Sequence, residues 1–480
     1  MKKLTNKPRL LIPMSIQFSV RYLLRAGLLE QLREVADPVI LLAWRDEDLE
    51  CELKNLGLEV HPMIERRMGK NYDRVRSWMS LWHKRQLNTS SEGVWERRAD
   101  LGRSPYARWR RRARKRVFDA LFSIPGSTEW LRRREQHFWE TDNNVEEVRA
   151  QIDRIRPDAA LSLTPFLTNE EMAMRVCEER GIPICTSLLS FDYVTTRGWW
   201  AVRFDRYMVW NRYDAEGLLR SHPEISPSEV EIVGAPQFDF YYDPAFCWSE
   251  AEWRSQLSLP PDRPVILFAG GFYFCAPHEP RFLQQIDDAI EKGEIPGNPI
   301  ILFRNHPIDP IERWMPILNQ AKHIVYDDPW PNGRIKGHSN MRMRDIQKLA
   351  STLFYSKVHI NIASTMAVDG AVFDRPQIGP AYDDTPGGKY EQTSRDLYIQ
   401  EHYLPITQSG GLEIVHSRDE LVRAIRSAIE DPGRLAEGRK RLVREICTFD
   451  DGRATERVAH AVRSFIEQHV AAGHEVAKSA

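Results

Sequence analysis

Residues 354–379, FYSKVHINIASTMAVDGAVFDRPQIG, contain the sequence pattern that decides the fold. Residues 357–363 are mostly β-branched or apolar, which predicts a short buried strand, and the apolar spacing over residues 366–373 predicts a helix. Ser364 and Thr365 therefore lie at the turn from strand to helix. The free N–H groups and positive dipole end of a helix N-terminus favour an anion, and two hydroxyls there can donate hydrogen bonds to a phosphate or a ribose.

Asp369 lies four residues after Thr365, on the same face of the predicted helix. Its carboxylate there can accept hydrogen bonds from ribose hydroxyls. The alternative interpretation is that Ser364 only caps the helix and that Asp369 is a solvated helix residue, because serine is a common cap. This stretch alone leaves both interpretations open.

Two earlier predicted strands also end in residues that suit an anion. Residues 298–303 run into the sequence RNHP at 304–307, and the proline forces the chain to leave the sheet. The strand predicted at 264–269 ends in Gly270 and Gly271, whose backbone amides can approach a phosphate closely. Because ligands bind at the carboxyl ends of strands in open α/β sheets, the three strand ends together predict one anion-binding edge.

These segments, together with VGAPQFD at 233–239 and the Arg-Pro pair at 375–376, resemble the C-terminal half of the GT-B glycosyltransferases and their relatives. The relatives include UDP-N-acetylglucosamine 2-epimerases, CDP-glycerol glycerophosphotransferases, and bacterial sialyl- and Kdo-type transferases in which an HP pair and a Ser-Ser/Thr pair hold the nucleotide. The resemblance covers about residues 190–465. Asn305 stands where a proline is common, and Asp369 stands where a glutamate is common.

The resemblance implies an α/β fold of two Rossmann-like, doubly wound domains. The β-α-β alternation of residues 9–63 also predicts a parallel, doubly wound sheet. We expect an N-terminal acceptor domain at residues 1–238 and a nucleotide-donor domain at residues 239–451. We expect residues 452–480 to form a helix that packs back on the first domain, followed by a tail.

The resemblance also implies a donor site that works without a metal. The predicted donor-binding residues lie at or beside strand ends: Gly270, Gly271, Arg304, His306, Ser364, Thr365 and Asp369. Arg304 and His306 are also predicted to be catalytic, with Arg304 and the helix dipole at Ser364 stabilising the departing phosphate. The loop with Gly387-Gly388-Lys389 is expected to close over the cleft.

Asp192 is the predicted general base for an acceptor hydroxyl. It follows a strand predicted at 184–188, so it lies at a strand end of the first domain. The alternative is an ordinary loop aspartate without a catalytic role.

Composition excludes several classes of protein. A chain of 480 residues with a formal net charge of −1 can form two or three domains and has no general attraction to nucleic acid. No run of eighteen consecutive apolar residues occurs, which excludes a membrane-spanning helix. We therefore expect a cytoplasmic protein. The resemblance implies that the nucleotide-sugar donor is a substrate, and we expect no further cofactor.

No metal site is expected from the sequence. The six cysteines form no CxxC pair and lack histidine partners at zinc spacing, which favours a reduced cytosolic compartment. The sequence Asp46-Glu47-Asp48 has the form of the DxD motif that holds a divalent metal in the other large glycosyltransferase fold. Acidic residues are preferred in the first turn of a helix, so we predict that this sequence begins a helix.

The alternation of strands and helices stops between residues 64 and 139, where the chain becomes strongly basic. Residues 66–137 contain twenty Lys or Arg and seven Asp or Glu, a net charge of +13, so the rest of the chain carries −14. RWRRRARKR at 108–116, followed by VFDALF, predicts a basic amphipathic helix within a helical insertion. Basic residues with interleaved tryptophans fit a peripheral membrane contact, or the phosphates of a lipid-linked acceptor.

The basic insertion has two other interpretations. Its arginines can pair with the acidic remainder of the chain, because charge runs are most often solvated faces. Nucleic acid is less favoured as a partner, because no RNA- or DNA-binding motif accompanies the charge.

We predict a glycosyltransferase that moves a sugar from a nucleotide-sugar donor to a surface-polysaccharide or lipid-linked acceptor, in the cytoplasm or at the inner face of the membrane. A nucleotide-sugar 2-epimerase on the same fold is one alternative, but its Gly-Thr-Arg-Pro-type opening is missing and Met14-Ser15-Ile16-Gln17 stands there. A CDP-polyol phosphotransferase and a non-catalytic GT-B-like scaffold are the others.

Overall fold

The computed structural model describes residues 7–100, 103–273, 275–329, 341–382 and 394–479. Contacts divide the chain into two compact units, each with its own parallel sheet. Unit 1 consists of Met1–Glu92, Arg103–Gln237 and Arg453–Ala480. Unit 2 consists of Gly93–Gly102 and Phe238–Gly452.

Unit 1 is built on a seven-stranded sheet in which all strands are parallel. Its strands are β1 (Arg9–Met14), β2 (Asp37–Leu42), β3 (Glu59–Pro62), β4 (Ala159–Ser162), β5 (Ile184–Ser187), β6 (Arg206–Val209) and β7 (Val230–Ile232). Central strands such as β1 are continuous buried runs, because helices cover both faces of a parallel sheet. The strand order is β3-β2-β1-β4-β5-β6-β7, so the order reverses between β1 and β4.

Helices connect and cover these strands. The α-helices of unit 1 are Phe18–Val20, Leu28–Val35, Glu47–Asn55, Lys70–Leu87, Pro105–Phe122, Ser127–Asp142, Glu146–Ile155, Thr168–Glu179, Tyr193–Thr196, Arg212–Ser221 and Ala454–Ser479, with a π-helix at Arg21–Arg25 and a 3₁₀ helix at Pro227–Glu229. Helix Ser90–Asp100 and the 3₁₀ helix Pro236–Tyr242 contain points where the chain passes between units. Asp46 caps helix Glu47–Asn55 by accepting from the N–H of Leu49 at 3.0 Å, so this sequence is a helix start, as predicted.

The insertion between β3 and β4 is helical, as predicted, and a buried network of charged groups anchors it. Arg175, in helix Thr168–Glu179, pairs with Glu135 at 2.6 Å. Glu171 of the same helix accepts from the hydroxyl of Tyr72 and pairs with Arg76, both at 2.6 Å. Some basic residues of the insertion therefore pair with acidic groups elsewhere in unit 1.

The helix Ala454–Ser479 completes the core of unit 1. It packs against helix Leu28–Val35 and against β5 and β6. Val458, Val462 and Phe465 on its inner face are fully buried in that core.

Unit 2 is built on a six-stranded parallel sheet. Its strands are β8 (Val265–Ala269), β9 (Ile300–Arg304), β10 (Ile324–Asp327), β11 (Val358–Asn361), β12 (Gln377–Pro380) and β13 (Leu412–Val415). Their order is β10-β9-β8-β11-β12-β13, so the order reverses between β8 and β11. The strands that the sequence predicted at 264–269, 298–303 and 357–363 are therefore confirmed.

Helices of unit 2 alternate with its strands. The α-helices are Glu250–Gln256, Pro280–Glu291, Met315–Leu318, Met343–Tyr355, Met366–Val372, Arg395–Tyr398, Leu404–Gln408, Arg418–Glu430 and Ala436–Cys447, and the 3₁₀ helices include Pro244–Phe246, Ile311–Arg313 and Glu401–Tyr403. Aromatic side chains fill the core behind β8 and β9, where Phe303 and Trp314 lie with ring centroids 4.4 Å apart. The predicted Gly387-Gly388-Lys389 loop lies outside the described residues.

Candidate functional site

Three adjacent strand ends form the candidate donor site in unit 2. Strands β9, β8 and β11 are neighbours, and Ala269 pairs in register with both Arg304 and Asn361. Because the strands are parallel, the residues that follow them meet at one edge of the sheet. The site therefore lies at the point where the strand order reverses, which is where open α/β sheets bind ligands.

Gly270 and Gly271 follow β8, but their amides donate to the protein itself. The N–H of Gly270 donates to the carbonyl of Arg304 at 2.8 Å, and the N–H of Gly271 donates to the carboxylate of Glu279 at 2.8 Å. A Cβ atom at Gly270 would lie only 3.0 Å from the ring of Phe303. Both amides therefore already have acceptors within the protein, and the contact of these glycines with a phosphate stays a prediction.

Arg304 ends β9 within a group of three charged side chains. Its guanidinium pairs with the buried carboxylate of Asp327, the last residue of β10. Lys348 pairs with the other oxygen of that carboxylate at 2.6 Å. Two cations share one carboxylate, so these three side chains together carry one formal positive charge. They lie at the edge of the sheet where the sequence predicted that an anion binds.

His306 lies two residues beyond β9 with a defined proton position. The backbone N–H of Ile308 donates to its Nδ1 at 3.3 Å, so the neutral ring carries its proton on Nε2. Burial lowers the pKa of His306, although the carboxylate of Asp309 opposes this shift. At neutral pH the imidazole is therefore uncharged, and its Nε2–H is a donor that suits a phosphate oxygen.

Ser364 and Thr365 form the turn after β11. The hydroxyl of Ser364 accepts from the N–H of Met366 at 3.3 Å, and its N–H donates to the side chain of Asn361 at 3.2 Å. The cap of helix Met366–Val372 is Thr365, whose side chain makes no capping bond, so Ser364 contacts the first amide of the helix from the position before the cap. Thr365 keeps an exposed side chain at the same turn.

Asp369 is buried within unit 2. Only 4% of its surface is exposed, and its carboxylate accepts from the hydroxyl of Tyr241. The alternative interpretation of a solvated helix residue is therefore wrong. The ribose contact stays a prediction, and a ribose would share this carboxylate with Tyr241.

Asp192 lies after β5 in unit 1, where two hydroxyls hold its carboxylate. Ser190 donates to one oxygen at 2.5 Å, and Thr196 donates to the other at 3.0 Å. A second carboxyl, that of Asp214, is buried on the following helix Arg212–Ser221. Burial raises the pKa of Asp214 well above its usual value, and the negative charge of Asp192 adds to this effect.

Several charged residues beside these strand ends were not identified from the sequence. Glu279, Asp309 and Arg313 join the loops that follow β8 and β9. In unit 1, Glu170 accepts from the hydroxyls of Ser15 and Ser162, at 2.7 and 2.6 Å, where the strand order reverses between β1 and β4. The four-residue spacing of Asp309 and Arg313, directly after RNHP, was the available signal for the first group.

Across the described parts of the chain, no group of three or more His, Cys, Asp or Glu residues is placed to hold a metal ion. Among the same residues, no helix is both long enough and apolar enough to cross a membrane.

Solved structures similar to this chain share its fold at low sequence identity. A putative UDP-N-acetylglucosamine 2-epimerase from Listeria monocytogenes is 12% identical with a TM-score of 0.55, and the match covers 96% of this chain and 97% of that one. S. aureus MnaA in complex with UDP is 10% identical with a TM-score of 0.56, at 96% and 97% coverage. A glycosyltransferase from Rickettsia africae is 10% identical with a TM-score of 0.50, at 95% and 99% coverage.

These structures establish the two-domain, Rossmann-like GT-B architecture. None of the curated proteins matches the chain. The family model for CDP-Glycerol:Poly(glycerophosphate) glycerophosphotransferase matches residues 200–464, which is more than half of the chain and includes the three strand ends of unit 2. The protein therefore belongs to the CDP-glycerol:poly(glycerophosphate) glycerophosphotransferase family, within the GT-B superfamily.

Proposed function

We propose that the protein is a transferase that moves a nucleotide-activated group to a surface-polysaccharide or lipid-linked acceptor. The family match over residues 200–464 carries this proposal, because it spans every predicted donor residue from Gly270 to Asp369. The family name specifies glycerol phosphate from CDP-glycerol, so a polyol phosphate is our first candidate for the transferred group. A sugar, which the sequence motifs favoured, is the second, and both groups need the same kind of nucleotide site.

In the proposed mechanism, unit 2 binds the diphosphate of the donor. The net positive charge of Arg304, Lys348 and Asp327 attracts the diphosphate, and the Nε2–H of His306 donates to a phosphate oxygen. Such fixed donors stabilise the charge that develops on the leaving nucleotide. The hydroxyl of Thr365, exposed at the next strand end, adds a donor. That the reaction needs no metal stays a prediction.

Unit 1 is proposed to bind the acceptor, with Asp192 as the general base. Asp192 takes the proton from an acceptor hydroxyl, and the resulting oxygen nucleophile attacks the donor. For a polyol phosphate, a new P–O bond forms and the P–O bond to the nucleotide breaks, which releases CMP. For a sugar, a new C–O bond forms at the anomeric carbon and the nucleoside diphosphate leaves.

The released nucleotide therefore tests the function directly. The protein is incubated with CDP-glycerol or with UDP-N-acetylglucosamine, each with and without an extract of lipid-linked acceptors. CMP release that depends on acceptor supports polyol-phosphate transfer, and UDP release that depends on acceptor supports glycosyl transfer. An altered sugar that is still attached to UDP, formed without acceptor, would establish an epimerase. Nucleotide binding without any turnover across the donor panel would favour a scaffold.

The helix Pro105–Phe122 supports a peripheral membrane contact in this proposal. Its inner side packs in unit 1, where Phe118 lies 5.9 Å from the ring of Trp78. Other apolar residues of this helix are exposed: Tyr106, Trp109, Val117 and Leu121, by 67%, 63%, 59% and 47%. A helix with an unburied apolar face flanked by cations suits an anionic membrane surface.

Four arginines of this helix are available to lipid headgroups. Arg108, Arg110, Arg114 and Arg116 are exposed and form no ion pair with any described residue. We propose that they bind anionic lipids at the inner, cytoplasmic face of the membrane. This location would bring the protein to a lipid-linked acceptor.

A further inference from the structure

Arg313 lies between two loops that follow adjacent strands of unit 2. In the loop after β8, its guanidinium donates to the carbonyls of Gly271 and Ala276, at 2.8 and 2.9 Å, and to Glu279 at 3.1 Å. In the loop after β9, it donates to Asp309 at 2.6 Å. One side chain thus joins both loops.

The two carboxylates that bind Arg313 also hold the loop backbones. Glu279 is fully buried and accepts from the N–H of Gly271 at 2.8 Å. Asp309 is 1% exposed and accepts from the N–H of Tyr273 at 2.7 Å, which links the loop after β9 to the loop after β8. The contacts between the loops therefore do not depend on surface side chains.

Asp309 connects this group to His306. Its N–H donates to the carbonyl of His306 at 3.0 Å, and its carbonyl accepts from the side chain of Asn305 at 2.9 Å. Burial is the main cause that lowers the pKa of His306. The carboxylate of Asp309 opposes this shift, and the guanidinium of Arg313 adds to it. A continuous set of contacts thus runs from Gly271 through Arg313 to His306.

From this geometry we propose that Arg313 is a positioning residue, which holds His306 and the Gly270-Gly271 turn in the arrangement that binds a nucleotide diphosphate. The inference rests on the proposed donor site, because Arg313 acts on it through these neighbours and not by touching the nucleotide. The fixed fork of a guanidinium can donate to several acceptors at once, which a lysine ammonium at this position cannot reproduce.

Arg254 provides a matched control in the same unit. Arg254 and Arg313 are 14% and 16% exposed, and each lies over the ring of the adjacent tryptophan, at 5.5 and 4.5 Å. Arg254 also donates to a carboxylate, that of Glu250, and to a carbonyl, that of Pro260. Its contacts precede β8 and lie at the opposite edge of the sheet, so its loss removes similar packing without touching the donor site.

The test compares Arg313→Gln, Arg313→Lys and Arg254→Gln in the full chain. CDP affinity is measured by calorimetry, and the ring of His306 is followed by NMR as a function of pH without nucleotide. We expect Arg313→Gln to weaken CDP binding by roughly ten- to a hundredfold, the order of loss when a hydrogen bond to a charged phosphate is displaced, and to raise the pKa of His306. Arg313→Lys keeps the positive charge but not the several donors of the guanidinium. We therefore expect its His306 pKa to be closer to that of the wild type than its CDP affinity is. Arg254→Gln leaves both unchanged.

Identical His306 titrations in the wild type and in Arg313→Gln would overturn the inference. Equal loss of CDP affinity in Arg313→Gln and Arg254→Gln would also overturn it, because the effect would then be general destabilisation. Should Arg313→Gln not fold, wild-type CDP affinity in Arg313→Lys would contradict it. A wild type that binds neither CDP nor UDP would refute the proposed function, while the His306 titration would still decide the role of Arg313.

Discussion

Glu279 is a fully buried carboxyl group whose protonation changes near neutral pH. Burial raises its pKa to about 7, while the guanidinium of Arg313 and the N–H of Gly271 oppose this shift. The native state therefore binds the proton of Glu279 more tightly than the unfolded chain does. This residue links the stability of unit 2 to pH.

The stability of the protein should fall as pH rises from about 4.5 to about 7, because this proton is retained only in the folded state. A shift of this size corresponds to a free energy of unfolding on the order of 3 kcal/mol, lost across that window. Glu279→Gln should remove this part of the pH dependence. Urea unfolding of both proteins at pH 5 and pH 8 measures it, and parallel pH profiles for the wild type and the variant would contradict the argument.

Replacing Arg304 or His306 by alanine should weaken nucleotide binding and leave the protein folded. Lys348 still pairs with Asp327 when Arg304 is removed, so no buried carboxylate is left without a cation. A nucleotide at 100 times its dissociation constant stabilises the wild type by about 2.7 kcal/mol, and a thermal-shift panel detects this. Arg263→Ala is the control, since Arg263 bonds to Asn298 and Pro299 at the opposite edge of the sheet. Wild-type shifts in both site variants would place the site elsewhere.

The position of a residue could be predicted where neighbouring residues in the sequence determine it. It could not be predicted where a partner distant in the sequence determines it. The proline in RNHP placed Arg304 at a strand end, and the structure has it there. Asp369 and Thr365 differ in burial although helical spacing placed them on one face, because Tyr241, 128 residues before Asp369, donates its hydroxyl hydrogen to this carboxylate. The amide of Gly271 was likewise assigned to a ligand, since nothing in the local sequence reveals that Glu279 reaches it.

The strands predicted at 264–269, 298–303 and 357–363 agree with β8, β9 and β11 within a few residues because local patterns determine them, whereas β10 and β13 were not predicted. Buried parallel strands such as β8 and β9 are short apolar runs, and glycine or proline follows closely after each. The helical insertion was also predictable, but the direction of its faces was not. Helix Pro105–Phe122 has both packed and exposed apolar residues, and tertiary contacts such as that of Phe118 with Trp78 show which side faces inward.

At the scale of this helix, removing its exposed charges should reduce binding to anionic vesicles. Replacing Arg108, Arg110, Arg114 and Arg116 by glutamine removes about 1 kcal/mol of attraction for each charge near the surface. Flotation with vesicles of phosphatidylcholine and phosphatidylglycerol at low salt measures the loss, and added salt should reproduce it.

The control variant removes the same number of charges at exposed arginines elsewhere: Arg133, Arg434, Arg453 and Arg463. It should bind vesicles almost as well as the wild type. Two results would contradict the membrane contact: wild-type protein that does not bind anionic vesicles at low salt, or an equal loss of vesicle binding in both quadruple variants.

Donor and acceptor roles are proposed for different units of the chain, so single substitutions should separate them. Asp192→Asn in unit 1 should lower transfer by about 10²- to 10⁴-fold, the usual value of general-base catalysis, while nucleotide affinity in unit 2 stays unchanged. Acceptor-dependent release of nucleotide measures the first quantity, and calorimetry measures the second. Asp153→Asn, an exposed aspartate paired with Arg180 in unit 1, is the control. Full transfer by Asp192→Asn would exclude this residue as the base.

The return of the chain to unit 1 through helix Ala454–Ser479 sets an order for assembly at the ribosome. Residues Phe238–Gly452 of unit 2 are contiguous, and they are complete before that helix is synthesised. Unit 1 begins first but receives Val458, Val462 and Phe465 of its core last. While unit 2 is translated, the apolar side of helix Leu28–Val35 therefore lacks its contact with helix Ala454–Ser479. Unit 1 is thus the later of the two units to complete its core.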